Sequence, residues 1–215
     1  MKLHNALKFF AAIRQNPFGK ALAQPQVDGT NHLLKAMGDA GWPIAWTAYG
    51  LATAFHEVAG TMQPIRERGS GDRDRDGEDD HFEKYDTGRI AAALGNTPAD
   101  DNDGEKWCGR GYPQVTGAAN YAKIDAALGL DGTLIANPAL MLQPRIAADG
   151  MVWAMKAGAF TGKALKHYLP PSGLATRAEF RAARRIINGM DRADDIAGYA
   201  LAFQDALAAG QWRAH

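Results

Sequence analysis

The chain has 215 residues, with 24 Lys and Arg against 24 Asp and Glu, so its formal charge at neutral pH is zero. That balance argues against a nucleic-acid binder or a polybasic membrane-surface protein, both of which need excess cationic charge. The length is enough to bury roughly 70% of the unfolded surface in a single domain spanning 1–215, and the lone Cys108 excludes an internal disulfide.

The opening Met1 to Phe10 has too short an apolar run, and too many charges, for a secretory signal, and no later stretch reaches the roughly 18 apolar residues of a membrane span. The expectation is a soluble protein made without its own export signal and without stable membrane insertion. Residues 1 to 14 are weakly periodic, and Asp28 or Thr30 is placed to cap a short helix ending near Gly38. Pro43, a favourable first-turn residue, opens a longer helix to about Ala59, before Gly60.

Alanine, frequent elsewhere, is missing between positions 61 and 90, and residues 66 to 89 hold nine acidic and six basic side chains. Such a segment is expected to form a solvated loop or a cleft edge rather than core. Trp107 to Val115 offers a short extended pair. Helices are predicted over 118–128, stopped by Gly129, and over 144–157, ended by Gly158. Thr176-Arg-Ala-Glu179 has capping-box spacing and opens a helix that stops near Asn188-Gly189. Asp191 is placed to cap a last helix reaching Ala209, before Gly210. The fold class is mainly α with at most a small β-hairpin.

Several chemistries are absent. Ser occurs only at 70 and 172, neither in a nucleophile elbow. His56-Glu57 lacks the second His that a zinc-protease helix requires, because position 60 is Gly60. Cys108 beside Trp107 reads as a small buried hydrophobe rather than a nucleophile. Asp72-x-Asp74-x-Asp76-Gly77 followed by Glu83 has calcium-loop spacing, but Arg73 and Arg75 interleave the acids and no helix enters at Gly69, so a solvated charged loop is expected. No metal and no cofactor is expected.

The helix over 43–59 places Trp46, Tyr49, Gly50, Thr53 and Glu57 on one face. A carboxyl at the end of an apolar stripe is partly desolvated, which favours its protonated form; the alternative is a carboxylate pointing to solvent at a helix end. Glu67 lies ten residues on, inside Arg66-Glu67-Arg68, where guanidinium neighbours favour its ionised form. One protonated and one ionised carboxyl is the pair that glycoside hydrolysis uses.

Phe55-His-Glu57-Val-Ala-Gly60-Thr-Met-Gln-Pro64-Ile-Arg-Glu67, Phe82-Glu-Lys-Tyr-Asp86, Gly109-Arg-Gly111-Tyr-Pro-Gln114-Val-Thr116-Gly and Asn120-Tyr121, with Ile187-Asn188-Gly189 later, resemble glycoside hydrolase family 19, which contains chitinases and phage endolysins. The likeness covers about residues 45–205, and the compact, cysteine-poor form looks most like the phage lysis enzymes. The resemblance implies a lysozyme-like, bilobal helical fold with a substrate cleft, and inverting hydrolysis of a β-1,4 bond next to an N-acetylated amino sugar. On that mapping Glu57 is the general acid, Glu67 the general base with Glu83 as its rival, and Thr116 holds the attacking water. Inversion calls for about 6.5–9.5 Å between the carboxyls.

Gln114, Asn120 and Asn188 match positions that bind sugar hydroxyls or acetamido groups. Arg110 supports the loop, and Tyr121 packs under a sugar or under the helix. Met190, where the chitinases have another Gly, alters one subsite. The implied function is an endolysin of muramidase type acting on peptidoglycan, a monomer that accumulates in the host cytoplasm and reaches the wall through a holin lesion. A chitinase is the alternative.

Overall fold

The computed structural model describes residues 3–73, 75, 79–97, 99 and 101–213. In chain order the elements are α1 (Ala6–Gln15), α2 (Gln24–Asp39), α3 (Ile44–Glu57), β1 (Ile65–Arg66), α4 (Gly88–Leu94), α5 (Asp103–Lys106), β2 (Arg110–Gly111), α6 (Ala118–Leu128), α7 (Thr133–Ala136), α8 (Pro144–Ala157), α9 (Arg177–Ala183) and α10 (Ala193–Ala209). Short 3-10 turns include Glu83–Tyr85 and Arg184–Ile186. The architecture is mainly helical, with one two-stranded sheet. The chain divides into two compact units, one made of residues up to 63 and from 151 onward, the other of Pro64–Gly150.

In the first unit α3 is the central helix. Ala45, Ala48, Tyr49, Leu51, Ala52 and Ala54 are fully buried, and the small side chains at four of these positions let neighbours approach on several sides. The long helix α10 packs along it with Ile196, Ala197, Ala200 and Phe203 buried. Ile196 and Phe203 each contribute about 1.5–3 kcal/mol by leaving water. Helix α1 is capped by Asn5, whose Oδ1 accepts from Lys8 N at 3.0 Å, and buries Phe9 and Ile13.

Two helix starts differ from expectation. Helix α2 begins at Gln24, not at Asp28 or Thr30: Pro25 fits the first turn, and Gln26 Oε1 accepts from Ala23 N at 2.8 Å, doing the work of a cap. Thr30 is buried inside the helix and donates its hydroxyl to Gln26 O at 2.7 Å. Gly29 faces Met62, whose carbonyl oxygen lies 1.6 Å from where a Cβ would stand, so only glycine fits there. Helix α10 is preceded by Arg192 in left-handed backbone (φ 54°), while Asp191 uses its carbonyl to accept from Arg184 Nε. The capping box at Thr176 and Glu179 is present, as predicted.

In the second unit β1 and β2 pair antiparallel, Ile65 with Gly111 and Arg66 with Arg110. The expected pairing within 107–115 is the single bridge Arg110 to Val115, and the principal partner of β2 is β1, too short to show a period-2 pattern. Helices α6 and α8 have the predicted bounds, the first closed by Gly129 with φ 63°.

The charged segment 66–89 is not wholly a solvated loop. Phe82 and Asp86 are each about 1% exposed, and Asp86 Oδ2 accepts from Gly104 N at 3.0 Å. Its outer arc is closed by Asp79, which accepts from Ser70 N and Gly71 N. Asp74, Asp76 and Gly77 of the calcium-spaced run lie outside the described residues. Among the described residues no three His, Cys, Asp or Glu side chains are grouped to hold a metal ion.

Candidate active site

The singled-out residues fall into two sets, one in each unit. Glu57 ends α3, its side chain 19% exposed, and its Oε1 accepts from Arg184 Nη1 at 2.7 Å. Arg184 is 3% exposed and follows α9 directly. The predicted apolar stripe therefore meets a buried cation 127 residues further along the chain. The sequence does carry a trace of it: Arg184 stands four residues after Phe180, on the buried face of a capped amphipathic helix, where a lone charge is expected to have a partner.

Tyr49, just over two turns before Glu57, donates its hydroxyl to Ala183 O at 2.8 Å, and burial pushes its phenol well above the usual range. His56 is half-buried and is held below the usual histidine range, chiefly by that burial. Asn188 is exposed, in a turn whose backbone N–H donates to Arg184 O at 3.1 Å, and its Oδ1 accepts from Gly189 N. The same arginine thus anchors both the Glu57 carboxyl and the Asn188 turn.

The second set centres on Glu67, immediately after β1. Its side chain is 22% exposed. Oε1 accepts from His81 Nε2 at 2.8 Å and from the Tyr85 hydroxyl at 3.1 Å, and Oε2 accepts from Gly109 N at 3.0 Å. Burial alone would raise the pKa of this carboxyl, but the three donors outweigh it and hold Glu67 below the ordinary glutamate range. Glu67 is thus ionised, as expected, for a different reason. Arg66 is not its partner: it pairs with Glu105 at 2.7 Å. Successive residues of an extended strand face opposite ways, so Arg66 and Glu67 cannot share a site.

His81 Nε2 also lies 3.2 Å from Lys84 Nζ. A ring nitrogen holds one proton or one lone pair, so the contact with a carboxylate assigns the proton to Nε2, with Lys84 as a charged neighbour. Tyr85, pushed up to about 12 by burial and then by the Glu67 charge, remains a donor. Both residues belong to the charged segment, and their role has no local sequence signal. Glu83, the rival base, sits half-buried in the 3-10 turn beside them.

Gly109 explains its own identity, since a Cβ there would stand 3.0 Å from Gln114 Oε1 and 3.1 Å from Glu67 Oε2. Gln114 adopts φ 54° and donates from Nε2 to Ile65 O (3.2 Å) and Gly111 O (3.0 Å), which leaves Oε1 for a ligand. Thr116, half-buried, donates its hydroxyl to Gln114 O at 3.1 Å, and Asn120 Nδ2 donates to Thr116 O at 2.9 Å. Glu67, Gln114, Thr116 and Asn120 are therefore joined through one turn.

Tyr121 is a correction: it is fully buried and donates to Cys108 O at 2.9 Å while accepting from Arg110 Nη1 at 3.1 Å, so it supports the turn and has no face for a sugar. Arg110 also donates to Lys106 O and Cys108 O, as its expected supporting role requires. Cys108 is fully buried and its thiol is raised chiefly by burial, which suits packing rather than nucleophilic attack.

No protein-family model and no curated protein matches this chain in sequence. Among solved structures, chitinase C from Streptomyces griseus HUT6037 superposes with a TM-score of 0.56 at 19% identity, over 99% of this chain and 78% of that one. The two proteins share a fold.

Proposed function

We propose that this protein is an inverting glycoside hydrolase of endolysin type, cutting β-1,4 bonds in the glycan strands of peptidoglycan. The observation that carries the reading is Glu67, a carboxylate that three convergent donors keep in the deprotonated form a general base requires. The fold shared with a chitinase supports the reaction class, and the likeness of the motifs to glycoside hydrolase family 19 supports the roles.

Glu57 acts as general acid. Its Oε1 is held by Arg184, so Oε2 is the oxygen that delivers a proton to the glycosidic oxygen as the bond to the anomeric carbon breaks. Glu67 takes a proton from a water that attacks the same carbon from the opposite face, forming the new C–O bond with inversion. Thr116 is assigned to hold that water, with Gln114 Oε1, Asn120 and Asn188 as sugar contacts. Return of the proton from Glu67 to Glu57 through solvent completes the cycle.

A holin-dependent route from host cytoplasm to wall belongs to the same proposal, and so does action as a monomer. A second reading, hydrolysis of chitin, is favoured by the identity of the structural neighbour. Mass and anomeric NMR analysis of products from purified peptidoglycan and from chitin oligomers, for the wild type and Glu57→Gln, tests both. Hydrated α-anomeric fragments from peptidoglycan, lost in the variant, are expected. Release from chitin alone would select the second reading, and anhydro products would replace hydrolysis by transglycosylation.

A further inference from the structure

The two strands β1 and β2 form a ribbon with different chemistry on its two sides. Glu67, Gly109 and Gln114 lie on one. On the other, Arg66 and Arg110 stand directly opposite each other, an arrangement of like charges that a two-stranded ladder disfavours without compensation. Glu105 compensates one of them, at 2.7 Å from Arg66 Nη2. The 92%-buried Arg110 bonds to carbonyl oxygens and the Tyr121 hydroxyl, none of which neutralises its charge. Lys106 Nζ rests 4.8 Å above the Trp107 ring and has no carboxylate partner among the described residues.

These side chains line an open surface depression of about 330 Å³, formed by Arg66, Asn102, Glu105, Lys106 and Arg110. Three cations face one carboxylate in a chain whose overall charge is zero. Asn102 also lines it, held at φ 68°, and its buried Oδ1 has no hydrogen-bond partner. Guanidinium groups match carboxylates in planar geometry, and an unspent amide oxygen calls for an N–H donor. A ligand with free carboxylates, such as a short peptide, offsets the excess of cations there. Consecutive Cα atoms lie about 3.8 Å apart, so this cavity begins one residue from Glu67, on the reverse of the ribbon.

We propose that the cavity binds the carboxylate-bearing stem peptide that branches from peptidoglycan strands. The inference rests on the glycosidase reading for the strand itself, and it supplies what would separate peptidoglycan from chitin, a polymer with no such branch.

The direct test is an NMR titration of the full chain with soluble stem tetrapeptide, and separately with inorganic phosphate, for the wild type, Lys106→Met and Lys106→Arg. Lys106→Met keeps the aliphatic stem over Trp107 and removes the charge. Saturable shifts at Arg66 and Lys106, weakened roughly two- to five-fold in Lys106→Met, as suits a partly exposed ion contact, and restored in Lys106→Arg, are expected. Absence of peptide shifts, or binding of phosphate without peptide, overturns the proposal. The ratio of kcat/KM on stem-bearing strands to that on amidase-stripped strands should fall by the same factor in Lys106→Met. An unchanged ratio overturns the cavity's role while leaving the hydrolase reading intact. Cleavage of neither strand overturns that reading, and the peptide titration still decides the cavity.

Discussion

Replacing His81 by Phe removes one of the two donors on Glu67 Oε1 while keeping a planar ring beside Phe82. A hydrogen bond to a charged group is worth about 1.5–3 kcal/mol, and one pKa unit corresponds to about 1.4 kcal/mol. Complete loss would therefore raise the Glu67 pKa by one to two units. The two side chains are 34% and 22% exposed, so water replaces part of the lost bond, and a rise of roughly one unit is the expected result. The sign follows from the folded state: Glu67 is depressed by its donors, so removing one moves it up, toward the ordinary glutamate range. The acidic limb of kcat/KM, where the base becomes protonated, should move to higher pH by that amount, with the alkaline limb in place. Carbon-13 titration of the Glu67 carboxyl reads the same shift independently of turnover. His81→Gln, which retains an N–H donor, should restore much of it. A Glu67 titration unchanged in His81→Phe would refute the claim that His81 helps keep this carboxylate ionised.

Arg184→Met leaves the Glu57 carboxyl without its buried partner and should cost about 3–5 kcal/mol in urea unfolding, and less when combined with Glu57→Gln, because the two residues act as one pair. Gly109→Ala puts a Cβ within 3.1 Å of two side-chain oxygens, and should lower stability by about 1–3 kcal/mol and disturb the Glu67 titration by NMR. Tyr121→Phe should lower Tm through loss of the hydroxyl joining Arg110 to Cys108, a cost of about 1–2 kcal/mol, while KM stays at its wild-type value; a raised KM would restore Tyr121 as a sugar contact.

What was legible in the sequence was whatever is written locally. Gly129 and Gly158 stop helices by adopting left-handed backbone, a property of one residue, and the bounds of α6 and α8 could be read from them. The capping box of Thr176 and Glu179 spans four residues and is equally plain. The two carboxyls could be singled out from a helical stripe and a charged triplet. Their environments could not, because the atoms that set them come from elsewhere: Arg184 lies 127 residues from Glu57, and His81 and Gly109 lie 14 and 42 residues from Glu67. Charge density misled at 66–89, where nine acids suggested hydration throughout, although Asp86 is buried because its carboxylate takes up a backbone N–H.

The threading of the first unit bears on how the protein is made. Helix α3 is complete at Glu57, yet α10, which covers much of it, ends only at Ala209. At roughly 5–20 residues per second on the ribosome, the apolar flank of α3 waits on the order of ten seconds for its cover, long enough for the intervening Pro64–Gly150 unit to emerge whole. A nascent chain arrested before residue 193 would therefore present the alanine-rich α3 without the helix that covers it.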